Sequence, residues 1–99
     1  MPRPSDKKSP LAWMLRLYVA GETPRSANAI RVLRDLCLAH LPGRHDIEVI
    51  DVRALPAIAA RDNIVALPCL VKLEPEPVRR LVGNLANPEH LLAALGIGV

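Results

Sequence analysis

Phenylalanine is absent from this chain, and tryptophan and tyrosine occur once each. Holding nucleic acid by base stacking needs aromatic platforms, so that class falls away first. A charge surplus is missing where it would count. The formal net charge is +3, but Arg3, Lys7 and Lys8 against Asp6 supply most of it, leaving ten basic and nine acidic residues from Leu11 onward. A phosphate-tracking surface finds no support in that balance. Cysteine occurs only as Cys37 and Cys69, outside any CxxC pair, too sparse for a secreted disulfide scaffold. No apolar run approaches the ~20 residues that cross a bilayer, and residues 1–10 carry charges without the apolar stretch of a signal peptide. Together these gaps point to a cytoplasmic protein of a reducing compartment, with neither nucleic acid nor membrane as partner.

What is present is aliphatic. Half of the 99 residues (51%) are hydrophobic, enough for one core without disulfide support. The proline-rich residues 1–10 read as a disordered tail, and residues 11–99 as a single domain. WMLRLYV at 13–19 alternates apolar and polar positions, the period of a strand. Thr23-Pro24 opens a helix to about His40, with Thr as cap and Pro at the first turn. Ala29, Ile30, Leu33, Leu36, Cys37 and Leu41 share one arc of it, while Val32 and Leu38 fall among Arg25, Asn28, Arg31, Arg34 and Asp35, as stray exposed apolar residues or as candidates for a partner surface. DIEVIDV at 46–52 is a second strand, apolar on both faces, as in a parallel pair covered on both sides. PAIAAR at 56–61 makes a short helix. Pro68 forces Leu67 into extended backbone and is a natural site for a cis peptide. It leads into a hairpin of strands at 69–73 and 78–83. Asn87-Pro88-Glu89 caps a last helix that ends at Gly96. The order is βαβαββα, an α/β fold with the thioredoxin layout.

Chemistry is thin. A thiol enzyme of this layout needs a thiolate at the first helix's N-terminus, where the dipole lowers its pKa; GETPRS at 21–26 holds none. Thr23 and Ser26 are explained by capping. Cys37 falls on the core arc. Cys69, beside Pro68, is a strand residue or, in the rival reading, the nucleophile of a divergent thiol protein. His40, His45 and His90 share no ligand spacing with other donors, so neither metal nor cofactor is expected. Asp51 is expected to hydrogen-bond a neighbouring element. The residues thus describe a binding module without catalytic groups.

LRLYVAG at 15–21, TPRS at 23–26, VIDV at 49–52, Pro56 with Ala59, IVALPCLVK at 64–72 and PVRRLVGNL at 77–85 resemble the KaiB circadian-clock family, in its order and nearly its spacing. The resemblance implies a non-enzymatic regulator that binds the ring-shaped KaiC ATPase and, in some systems, recruits KaiA. It implies two folds: an oligomeric ground state (dimer or tetramer) ordered βαββααβ, and a monomeric thioredoxin-like state. They share a first half, and Pro68, Pro75 and Pro77 lie in the segment that repacks. Alternatively, these prolines merely shape a turn. The expected partner surface is residues 53–64 with the exposed edge of the second strand, drawing on Glu48, Arg53, Ala57, Arg61, Asn63 and Ile64. Glu48 stands where clock members present lysine, and Asn63 replaces another. Pro75-Glu76-Pro77 interrupts a run of three prolines, and the family's C-terminal extension is missing. Charge reversal at an interface rim changes partner choice, which weighs against a KaiA-type partner. A chain ending at Val99 also argues against a sensor module of a clock kinase.

Overall fold

The computed structural model describes residues 12–83 and 85–97; the tail expected at 1–10 lies outside the described residues. Strand β1 (Trp13–Val19), helix α1 (Pro24–His40), strand β2 (His45–Asp51), helix α2 (Pro56–Arg61), strands β3 (Cys69–Glu74) and β4 (Arg79–Val82) and helix α3 (Pro88–Leu95) follow one another. They form one sheet in the order β2-β1-β3-β4. β1 and β2 run parallel, and β1–β3 and β3–β4 are antiparallel. This is the expected thioredoxin-like βαβαββα arrangement rather than the βαββααβ alternative.

Local chemistry sets the helix ends. Thr23 Oγ1 accepts from Ser26 N at 3.1 Å and Pro24 opens α1. Asn87 Oδ1 accepts from His90 N at 3.1 Å and Pro88 opens α3. Gly96 ends α3 at φ +74°, the left-handed region glycine enters without steric cost.

The period of two divides β1. Leu15, Leu17 and Val19 enter the larger core with Leu33, Leu36, Cys37, Leu70, Leu91 and Leu95, under α1 and α3. Tyr18 enters a smaller cluster on the opposite face with Ile50, Cys69 and Val71, against which Ile58 of α2 and Ile64 pack. β2 is therefore covered on both faces, as its apolar pattern predicts.

Four expectations need correction. Val32 is buried and belongs to the larger core, to which α3 also contributes Leu91 and Leu95, so the covered arc of α1 is wider than its own projection predicts. Leu38 is indeed exposed, and Ile30 is only partly covered. β2 begins and ends one residue early: pairing starts at Trp13↔His45, with Trp13 N donating to Arg44 O at 2.8 Å, while the Asp51 carboxylate turns the chain out at the far end. β3 runs on to Glu74, and β4 is shorter than expected, with Val78 and Gly83 outside its ladder.

Lys72 was not singled out by its sequence. Parity places it on the core face beside Leu70, where it is buried with its Nζ 5.2 Å from the centre of the Trp13 ring. Desolvation, and then Arg79, holds its ammonium below the usual lysine range.

Candidate functional site

The smaller face carries the polar residues that its apolar cluster leaves uncovered. Arg16 and Tyr18 point to it from β1, Glu48 from β2 and Arg80 from β4, as strand parity requires. Arg16 Nε meets Glu48 Oε1 at 2.8 Å, and Arg16 Nη1 lies 3.5 Å from the Tyr18 hydroxyl. That hydroxyl donates to Asp62 Oδ2 at 2.5 Å, while Arg61 Nε donates to Asp62 Oδ1 at 2.9 Å. Arg80 completes the network by donating to the carbonyls of Asp62 (2.5 Å) and Asn63 (3.0 Å). The Asp62 carboxyl is held down to about 2, first by Arg61 and then by Tyr18. Burial, followed by the Asp62 bond, pushes the Tyr18 phenol up.

This network joins three of the expected partner residues. Glu48 stands on a different element from Arg61 and Asn63, yet all three are tied into one network through Arg16, Asp62 and Arg80 and stay exposed themselves. Asn63 adopts φ +56°, a turn conformation that asparagine enters more readily than most residues. Ala57 is exposed on α2, which buries none of its residues fully. Ile64 is half-buried, packing against the Tyr18 cluster. Arg53 lies apart from the network, folded over Gly21: a Cβ at Gly21 would sit 2.3 Å from Arg53 Nη1. Asp51 has the neighbour-bonding role expected of it, its Oδ1 accepting from Gly21 N and Arg53 N at 2.9 Å each. Arg16, Tyr18, Asp62 and Arg80 are site residues that the sequence alone does not single out. Arg16 and Tyr18 stand on the polar parity of β1, and that was the available signal.

A second surface feature is a groove of about 260 Å³ between α1 and the segment after β4, lined by Arg25, Asn28, Ala29, Pro68, Gly83, Leu85 and Ala86. Pro68 is buried beside it, Pro75 is half-buried and Pro77 exposed; all three follow cis peptide bonds. Neither thiol reaches the groove. Cys69 is buried among Tyr18, Ile50 and Val71, and burial pushes its thiol up despite Arg80 nearby. Cys37 is fully buried, its thiol pushed up to about 11. Burial keeps both as neutral thiols, the unreactive form, which weighs against the rival thiol reading. Among the described residues no three His, Cys, Asp or Glu side chains gather as a metal site, and no helix is long and apolar enough to cross a membrane.

Comparison with known proteins agrees with this geometry. Residues 16–97 match the KaiB domain. A circadian clock oscillator protein KaiB of Prochlorococcus marinus (strain MIT 9303) is 42% identical over 85 residues, covering 86% of this chain and 71% of the relative. The protein of that name from Thermosynechococcus vestitus is 41% identical, covering 86% of this chain and 79% of its own. Among solved structures, the N-terminal domain of Synechococcus elongatus SasA superposes with TM-score 0.72 at 22% identity, over 96% of this chain and 90% of that one. Chloroplastic thioredoxin z gives the same score at 20% identity, over 87% and 77%. At such identities these two likenesses speak for the fold alone.

Proposed function

The chain belongs to the KaiB family, and from that premise we propose that it is a cytoplasmic, non-catalytic regulator that binds a KaiC-type ATPase in a clock or a clock-derived timing or stress system. One observation carries the proposal. The chemistry-bearing end of the fold, where α1 begins beside Pro68, holds no thiol, whereas Glu48, Arg61 and Asn63 are drawn into one exposed patch by Arg16, Tyr18, Asp62 and Arg80. A surface so built offers fixed charges to a protein rather than a nucleophile to a substrate. Arg53, Ala57 and Ile64 extend it along the segment that contains α2. A KaiA-type partner is not part of this reading, because Glu48 reverses the family's usual charge on β2.

The test is co-elution with a KaiC homologue in the presence of ATP after hours of incubation. The intact chain is expected to bind. Arg61→Glu should weaken binding at least tenfold, since a reversed interface charge costs several kcal/mol. Absence of a complex at micromolar concentrations of both proteins would sink the proposal.

We further propose that the chain has the family's second, oligomeric fold. Support comes from the thin packing of the part that would rebuild: α2 buries no residue fully, and β4 is largely exposed. Two amide peak sets for residues 64–85 in ¹⁵N spectra at two temperatures are the expected sign; a single set at monomer mass excludes a second populated fold.

A further inference from the structure

Like charges face each other across the β3–β4 ladder. Arg79 stands opposite Lys72, and Leu81 opposite Leu70, on the face under α1 and α3; Arg80 and Val82 stand on the smaller face, opposite Val71 and Cys69. A like-charged pair directly across two strands is destabilising, and burial of Lys72 leaves little water to screen it. Among the described residues no carboxylate forms an ion pair with Lys72, Arg79 or Arg80. Arg80 is held by the carbonyls of Asp62 and Asn63 alone.

The outer side of β4 is open and partly apolar. As the last strand of the sheet, β4 leaves one row of its backbone N–H and C=O groups unpaired within that sheet. Val78 and Val82 flank the two arginines and are 57% and 52% exposed. Val65, 96% exposed, lies between Asn63, which Arg80 holds, and Pro68, which precedes the strand partner of Val82. Arginines alone could be guards that keep other strands off an edge. Guards do not account for three exposed valines beside them. A surface made for an acidic and apolar strand accounts for both.

We propose that the β4 edge docks an extended segment of another protein as an antiparallel fifth strand, with apolar residues abreast of Val82 and Leu81 and acids abreast of Arg80 and Arg79. Antiparallel pairing is the more stable kind per residue. Read from its N-terminus, the segment has the order apolar, apolar, acid, acid. The acid beside Arg79 offsets the repulsion from Lys72. Backbone pairing supplies the affinity of such a contact and the alternating side chains its specificity. The β4 edge of a second copy is the wrong occupant, because it would set arginine against arginine. The reading needs no ATPase, since Glu48 and β2 lie at the opposite edge of the sheet.

The test adds synthetic peptides to the ¹⁵N-labelled intact chain and follows its amide shifts. The probe Ser-Val-Ile-Glu-Glu-Ser should move the amides of residues 79–82 with a Kd below about 1 mM. Its rearrangement Ser-Glu-Val-Glu-Ile-Ser, equal in composition and charge, should bind at least about fivefold more weakly, since its acids fall beside Val82 and Arg80 and leave Arg79 unmatched. The discriminating step is a charge swap. Arg79→Glu should weaken the first peptide about threefold to tenfold. On that variant Ser-Val-Ile-Glu-Lys-Ser should restore the affinity, while binding the intact chain poorly. Arg79 holds no other group in place, so the swap leaves the Tyr18 network standing. Absence of shifts at residues 79–82 in millimolar peptide overturns the proposal, as do shifts centred on β2. Equal binding of the two acidic peptides would mean a merely cationic patch and overturns it too. So does a failed charge swap in a variant that melts as a folded protein.

Discussion

The two faces of one sheet are built by different physics. Under α1 and α3 the side chains are leucine, valine, alanine and isoleucine, closely covered, with Lys72 the single charged intruder among the described residues. Under α2 the apolar cluster is small, and the Arg16–Tyr18–Asp62–Arg80 network finishes it. The first kind of face gains stability from area removed from water. The second gains position: each hydrogen bond nets only about 1 kcal/mol, but it fixes which exposed groups stand together. A single fold therefore separates what holds it up from what it presents.

The sharpest way to break this contrast is to remove the same kind of atoms from each face. Leu33→Ala, at a residue 1% exposed, should cost about 2–5 kcal/mol. Against a total near 5–15 kcal/mol, that is a large share of the fold. Ile58→Ala, on half-buried α2, should cost about 1–2 kcal/mol. Urea midpoints at constant slope measure both. Equal losses would mean that the α2 face is also held by burial.

Tyr18→Phe sharpens the comparison from the polar side. It keeps the ring and removes only the hydroxyl that binds Asp62 and meets Arg16. The expected loss is about 1–2 kcal/mol, accompanied by chemical-shift changes at Glu48, Arg61 and Asn63 larger than at any residue under α1. If shifts were spread evenly over both faces, the hydroxyl would be a packing element like any other.

Acid should separate the faces more gently. The folded Asp62 carboxyl lies at about 2, below the ordinary carboxylate value near 4. A depressed folded pKa gives stability that is fully present above the unfolded value and is lost as pH falls through about 4 towards 2. Asp62→Asn should flatten that part of the acid profile, while Leu33→Ala should shift the whole profile down without changing its shape.

Most of the fold was legible because its signals are local. Thr23-Pro24 and Asn87-Pro88 cap their helices chemically, and the alternation in 13–19 sorts β1 between two faces before any partner is known. Val32 was misread because the core that buries it is assembled from β1, β3 and α3 as well as α1, which no projection of a single helix contains. The site was only half legible for the same reason. Exposure of Glu48, Arg53 and Asn63 follows from their type, but only the strand register and the placement of α2 bring Glu48 and Arg61 into the network around Tyr18 and Asp62. Asp51 was legible as a bonding residue because a carboxylate ending a strand has backbone amides nearby, although which amides depends on Gly21 folding back.

The smallest expected effect is at Leu38, 64% exposed on α1 near Arg34, His45, Asp46 and Ile47. Glutamine has nearly the helix propensity of leucine, so Leu38→Gln removes apolar surface and little else. In a free chain it should change stability by less than about 0.5 kcal/mol, and equally at every protein concentration. A concentration-independent loss above about 1 kcal/mol would show instead that Leu38 is covered within its own chain, extending the larger core around α1 beyond the arc that Val32 already widened.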